Sequence, residues 1–68
     1  MTCKDLLEVM SPAEFVSIDW KQGDNYTLLL KASVVHLNLD TLTAFNLVCV
    51  TSSVDEETGL PCVNITVE

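Results

Sequence analysis

Few side chains in this sequence could take part in catalysis. The single histidine, His36, stands in an apolar stretch and has no acidic or nucleophilic partner at the spacing of a catalytic motif. The only glycines, Gly23 and Gly59, are isolated, so the chain lacks a glycine-rich loop that could bind phosphate. The sequence therefore predicts a protein that is not an enzyme and that uses no cofactor.

Two groups of potential metal ligands are present, and neither has the spacing of a known type of site. Cys3, Cys49 and Cys62 lack the paired CxxC spacing that would let them form a zinc site with His36. The acidic run at residues 55–57 is contiguous, whereas calcium-binding loops place their ligands at alternating positions. We predict free thiols in a reducing compartment, a solvated acidic loop and no metal.

Charge is the most informative property of the chain. Ten acidic side chains oppose three lysines and no arginine, which gives 68 residues a formal net charge of −7. Three lysines can neutralise few phosphates, so direct binding to nucleic acid is disfavoured. The charge instead favours a protein partner with a basic surface, because complementary charge accelerates association. Solubility alone could also explain a net charge of this size, and that alternative stays open.

The acidic residues concentrate at two places. Asp55, Glu56 and Glu57 form the densest cluster, and Asp19 and Asp24 lie around a predicted turn. We expect these five residues to contact the basic partner. Binding through them would weaken steeply with salt, because mobile ions screen exposed charges.

The elements that must position these residues can be assigned from hydrophobic periodicity. Apolar residues at a helical spacing after Thr2 predict an amphipathic helix, with Thr2 and Asp5 as its capping box and Ser11-Pro12 as its end. Alternating residues predict two hairpins. Their four strands cover residues 14–20, 26–32, 47–54 and 62–67.

The segment between the two hairpins, residues 33–46, fits two structures. Its first part alternates as in a strand, whereas three apolar residues further on have the spacing of a helical face, namely Leu39, Leu42 and Phe45. We favour a short helix there, capped by Asn38 or Asp40, that packs on the sheet.

Together these elements predict one small α+β domain over residues 1–68, in the order α-β-β-α-β-β. Its strands would form a single antiparallel or mixed four-stranded sheet in a two-layer arrangement, with both helices on one face. No apolar run approaches the length of about 20 residues that spans a membrane, and no signal peptide is apparent. We therefore expect a cytoplasmic protein without membrane contact.

The sheet is predicted to have one face without helices. Apolar residues of the four strands would face the helices, namely Val16, Ile18, Leu28, Leu30, Val48, Val50, Val63 and Ile65. The opposite face is mostly polar and includes Ser17, Lys31 and Asn64, but it also carries two cysteines and three large apolar residues, Phe15, Leu29 and Leu47. These three are either isolated exposed residues or part of a surface for homo-oligomerisation.

Two features of the chain are similar to those of a known group of proteins. One is the opening segment, Lys4 to Val9 with the sequence KDLLEV, and the other is the layout of two hairpins around a helical region. The chain resembles short, uncharacterised acidic proteins of Gram-positive bacteria and of their phages and prophages. The resemblance implies a mobile-element origin. Small acidic phage proteins often inhibit host defence, including as anti-CRISPR proteins. The cysteines in the strands and the long apolar middle depart from this pattern, and no functional residue can be transferred.

Charge and resemblance together predict a non-enzymatic acidic interaction protein that binds a basic protein surface. We expect a phage-encoded inhibitor of a host nucleic-acid-handling or defence enzyme, acting in the host cytoplasm. Two alternatives stay open. One is an oligomer that sequesters a nucleotide at its subunit interfaces, although the scarcity of lysine and arginine counts against it. The other is a structural module that only oligomerises.

Overall fold

A computed structural model describes all 68 residues, which form four strands, one short α-helix and two 3₁₀ turns. The elements follow in the order α1 (Cys3–Glu8), β1 (Phe15–Gln22), β2 (Asn25–Ser33), 3₁₀ turns at Val34–His36 and Leu39–Leu42, β3 (Leu47–Val54) and β4 (Pro61–Val67). The predicted α+β class and four-stranded sheet are confirmed, and of the two arrangements left open, antiparallel or mixed, the sheet is mixed. The predicted second α-helix is wrong, because 3₁₀ turns take its place, and the layer of two α-helices is therefore not formed.

The strands lie in the order β2-β1-β4-β3. Both predicted hairpins are present as antiparallel pairs, and the central pair, β1 and β4, is parallel. This arrangement puts the β1–β2 turn and the start of β3 at one end of the sheet. The β3–β4 loop, residues 55–60, lies at the other end, beside the start of β1.

The hydrophobic core lies against one face of the two central strands, which we call the inner face. Its buried residues come from α1, both 3₁₀ turns, β1 and β4, namely Cys3, Leu7, Val16, Ile18, Val34, Leu42, Ile65 and Val67. Only 11 of the 68 residues are buried, so the core is small and each of its contacts carries a large share of the stability.

Two β-bulges change which face several side chains occupy. Ile18 pairs with Leu30 but Asp19 pairs with Leu28, so Leu29 is the extra residue in β2. Leu28 therefore lies on the outer face beside Asp19 and is 57% exposed. The prediction that Leu28 faces the helices is wrong, because alternation along a strand does not reveal a bulge.

The second bulge lies in β3. Leu47 pairs with Val67 and Cys49 with Thr66, which leaves Val48 as the extra residue. Leu47 consequently packs against the core on the inner face, and Val48 is exposed. The predictions that Leu47 belongs to the outer face and that Val48 points inward are therefore wrong, for the same physical reason.

Local hydrogen bonds explain the 3₁₀ turn that replaces the expected helix. The side chain of Asn38 accepts a hydrogen bond from Asp40 N–H at 3.2 Å, as predicted for a cap. Thr41 Oγ1 donates to the Asn38 carbonyl and Thr43 Oγ1 to the Asp40 carbonyl, at 2.7 and 3.1 Å. Such bonds compete with the helical ladder. The three apolar residues expected on the sheet still belong to the core or pack against it, namely Leu39, Leu42 and Phe45.

The helix α1 begins as predicted. Thr2 N–H donates to Asp5 Oδ2 at 3.1 Å, and Asp5 N–H donates to Thr2 Oγ1 at 3.2 Å, which completes the capping box. The hydrogen bond from the Thr2 backbone is the main reason that the pKa of Asp5 lies below its ordinary value. Neither α1 nor the 3₁₀ turns have the length and apolar character needed to cross a lipid bilayer.

Candidate functional site

A polar cleft of about 300 Å³ lies on the outer face, between the sheet and the β3–β4 loop. Strand register brings its floor together, because Lys31 pairs with Ser17, Ser17 with Asn64, and Ser53 with Cys62. Seven of its nine lining residues are polar or charged, namely Ser17, Lys31, Ser53, Asp55, Glu56, Glu57 and Asn64. Its volume is at the lower end of the range for ligand pockets.

An ion pair fixes the loop over the sheet. Lys31 Nζ donates to Asp55 Oδ1 at 2.5 Å. Lys31 lies on the edge strand β2, and Asp55 directly follows β3, the strand at the opposite edge of the sheet. Asp55 Oδ2 accepts hydrogen bonds from the backbone N–H and the hydroxyl of Thr58, at 3.3 and 2.9 Å. The Gly59 N–H donates to the Asp55 carbonyl, and its φ of +71° suits the turn to glycine.

These contacts change the interpretation of Asp55. The residue is only 5% exposed, so the expectation of a fully solvated acidic loop is wrong at this position. The hydrogen bond from Lys31, supported by Thr58, lowers the pKa of the Asp55 carboxyl below its ordinary value. The same contact with Asp55 raises the pKa of Lys31. Asp55 therefore positions the loop, while Glu56 and Glu57 remain exposed and without an ion pair.

Ser17 contributes an unpaired hydroxyl to the floor of the cleft. The residue is 9% exposed, and none of the side-chain hydrogen bonds in the cleft uses its hydroxyl. Nearby, Asn64 Nδ2 donates to Ser53 Oγ at 2.8 Å, and the amide oxygen of Asn64 accepts only a long contact from the weakly polar Cys62 thiol, at 4.0 Å. The hydroxyl of Ser17 and the amide oxygen of Asn64 can therefore both accept hydrogen bonds from a bound group.

The electrostatic balance of the cleft is negative. Three carboxylates and one ammonium line it, so its formal charge is 1 − 3 = −2. The Lys4 ammonium is engaged elsewhere, 3.8 Å from Glu8 and 3.5 Å from Asp40. The arrangement suits a cationic group that donates several hydrogen bonds, because acceptors outnumber the donors within the cleft.

The structure does not bring together all five acidic residues predicted to bind the partner. Asp19 lies on the outer face of β1, half-buried between Leu28 and Thr66. Asp24 is exposed in the β1–β2 turn, at the opposite end of the sheet from the cleft. Glu14, which the sequence did not single out, precedes β1 at the cleft end and is exposed.

The residues predicted to form an oligomer face are also separated. Phe15 is half-buried on the outer face, Leu29 lies at a bulge, and Leu47 packs on the inner face. The three cysteines are free thiols in different environments. Burial raises the pKa of the Cys3 and Cys62 thiols, and no three histidine, cysteine or acidic side chains are grouped closely enough to share a metal ion.

No protein-family model, curated protein or solved structure matches this chain at a significant level. The resemblance to short acidic bacterial and phage proteins therefore stays a prediction.

Proposed function

We propose that the protein binds a basic surface of a partner protein and that a cationic side chain of the partner enters the polar cleft. The observation that carries this proposal is the combination of an excess of carboxylates with the Ser17 hydroxyl, which has no hydrogen-bond partner within the protein and is open to the cleft. Glu56 and Glu57 supply the uncompensated charge, and Asp55 holds the loop that carries them.

An arginine side chain is the best match to this cleft. Its guanidinium group carries five N–H donors in a rigid plane, whereas a lysine ammonium has three. The acceptors lie on both sides of the cleft, with Ser17 and Asn64 on the sheet and Glu56 and Glu57 on the loop. The exposed Glu14 carboxylate at the same end would extend the negative surface beyond the cleft.

A nucleic-acid-handling enzyme is the class of partner that this surface would suit, because such enzymes present basic grooves that neutralise phosphate. A small acidic protein seated in such a groove would compete with nucleic acid for it. We therefore propose an inhibitor that acts in the cytoplasm, of the host cell if the chain is phage-encoded. The protein itself has few cations to offer phosphate, since two of its three lysines form ion pairs.

The site can be located by NMR. A short arginine-rich peptide is titrated into the labelled protein, and an acidic peptide of equal length serves as the control. We expect the largest chemical-shift changes at the amides of Ser17, Glu56, Glu57 and Asn64, with a strong dependence on salt. Changes centred on the β1–β2 turn, or no changes with the basic peptide, would contradict the proposal.

A nucleotide panel in the same experiment tests the sequestering alternative. Shifts produced by a nucleotide and absent with the basic peptide would favour that function over the one proposed.

A further inference from the structure

The outer edge of β3 has little protection against pairing with another strand. β3 lies at one edge of the sheet, and seven of its eight residues are exposed. Natural edge strands are usually protected by charged residues, especially lysine, or by proline. The opposite edge strand, β2, carries Lys31, whereas the sequence of β3, LVCVTSSV, contains neither a charged residue nor proline.

The chain itself already pairs with the beginning of this edge. Thr2 forms an antiparallel bridge with Asn46, Leu47 N–H donates to the Met1 carbonyl at 3.1 Å, and Cys3 N–H donates to the Phe45 carbonyl at 3.0 Å. Because the bridge is antiparallel, Met1 lies beside Leu47 and Cys3 lies beside Phe45, so this pairing covers β3 only at Leu47. The edge from Val48 to Val54 is left open.

The open part of β3 also exposes apolar surface. Val50 pairs with the core residue Ile65, yet it is 43% exposed, because no helical segment covers β3 there. Val48 and Val54 are exposed to a similar or greater extent. One uncharged strand thus carries three exposed valines together with backbone N–H and C=O groups that are free to hydrogen-bond to another strand.

We infer that the protein forms a dimer in which the open edge of β3 pairs with the same edge of a second copy. The uncharged sequence of β3 permits a second copy at this edge, because two chains of net charge −7 repel each other least where neither carries charge. A basic segment would find no carboxylate on β3. An antiparallel pair about a twofold axis is self-complementary, and it places the two acidic loops at opposite ends of the paired strands.

The mass in solution tests this inference. The full chain has a mass of 7.5 kDa, so sedimentation equilibrium should give twice that mass for the unaltered protein. Thr51→Glu puts a carboxylate on the proposed interface and should restore the monomer. Thr27→Glu is the matched control, because Thr27 is an exposed threonine on the opposite edge strand, and it should leave the dimer intact.

Ser52→Glu repeats the test from the other face of β3, and circular dichroism establishes that each variant is folded. A monomeric unaltered protein at all concentrations, or a dimer that survives both β3 substitutions, would overturn the inference. Dissociation by Thr27→Glu alone would assign the interface to β2 instead. The measurement involves no ligand, so its result is independent of the function proposed for the cleft.

Discussion

Asp55 shows how strongly the role of a single residue depends on its neighbours. Three consecutive acidic residues look equivalent in the sequence, but only the first is buried, and it meets Lys31 from the far edge of the sheet. The negative charge of Asp55 is therefore paired with Lys31 within the molecule. The charges available to a partner at this end of the sheet are therefore those of Glu56, Glu57 and Glu14.

Replacing Asp55 should destabilise the loop. Asp55→Asn removes the carboxylate that accepts from both Lys31 and Thr58, so we expect a lower midpoint of thermal unfolding and faster hydrogen exchange at the amides of Thr58 and Gly59. Glu56→Gln is the matched control, because it removes an exposed carboxylate next in the chain. Equal effects of the two substitutions would show that Asp55 does not anchor the loop.

The ion pair also predicts a pH dependence. A folded-state pKa below the ordinary Asp value of 3.8 means that the contribution of Asp55 to stability is fully present above pH 3.8 and is lost as pH falls through the lowered pKa. The raised pKa of Lys31 means that its contribution is present below its ordinary value of 10.5 and is lost as pH rises through the raised pKa.

Urea unfolding of the unaltered protein and of Asp55→Asn at several pH values measures this effect. The difference in free energy of unfolding should be constant near neutral pH and should shrink below pH 3.8. Asp5, whose pKa is also lowered, is present in both proteins and cancels in the difference. A difference that persists unchanged in acid would mean that packing of the side chain, rather than its charge, stabilises the loop.

At the scale of elements, the capping box of α1 should make a measurable contribution. Thr2→Ala removes the hydroxyl that accepts from Asp5 N–H and should lower the free energy of unfolding by about 1 kcal/mol. Thr2→Ser keeps the hydroxyl and should retain most of the stability. Both substitutions leave the backbone bridge to Asn46 in place. Equal losses for alanine and serine would assign the effect to the lost methyl group.

Local patterns in the sequence were sufficient to predict most elements. Alternation and turn residues predicted both hairpins, and they assigned Val16, Ile18 and Ile65 to the inner face, where all three are fully buried. The bulges at Leu29 and Val48 could not be predicted, since a bulge depends on the register of the partner strand.

The candidate site could be predicted only in part. Alternation assigned Ser17, Lys31 and Asn64 to the outer face, and composition marked the acidic loop. The contact between Lys31 and Asp55 joins residues 24 positions apart and depends on the parallel pairing of β1 with β4. No local pattern contains that information, so the sequence did not reveal that the loop closes over the sheet.

At the scale of the whole molecule, charge and apolar surface lie in different places. The molecule measures 30 × 25 × 16 Å, with carboxylates at both ends of the sheet and an uncharged strand along one edge. Asp24 and Glu68 lie at the end opposite the cleft. We therefore propose partner binding at one end and self-association at one edge, and we predict that the two can be disrupted separately.

We propose that the carboxylates at the cleft end, rather than the net charge of the whole protein, bind a basic partner. Isothermal titration with the arginine-rich peptide tests this by comparing two variants. Each variant lacks two carboxylates; in the first they lie at the cleft end of the sheet, and in the second at the opposite end. Glu56→Gln/Glu57→Gln should weaken binding by about tenfold, and Asp24→Asn/Glu68→Gln should change it little. Equal weakening by the two variants would contradict the claim, because net charge alone would then account for the binding.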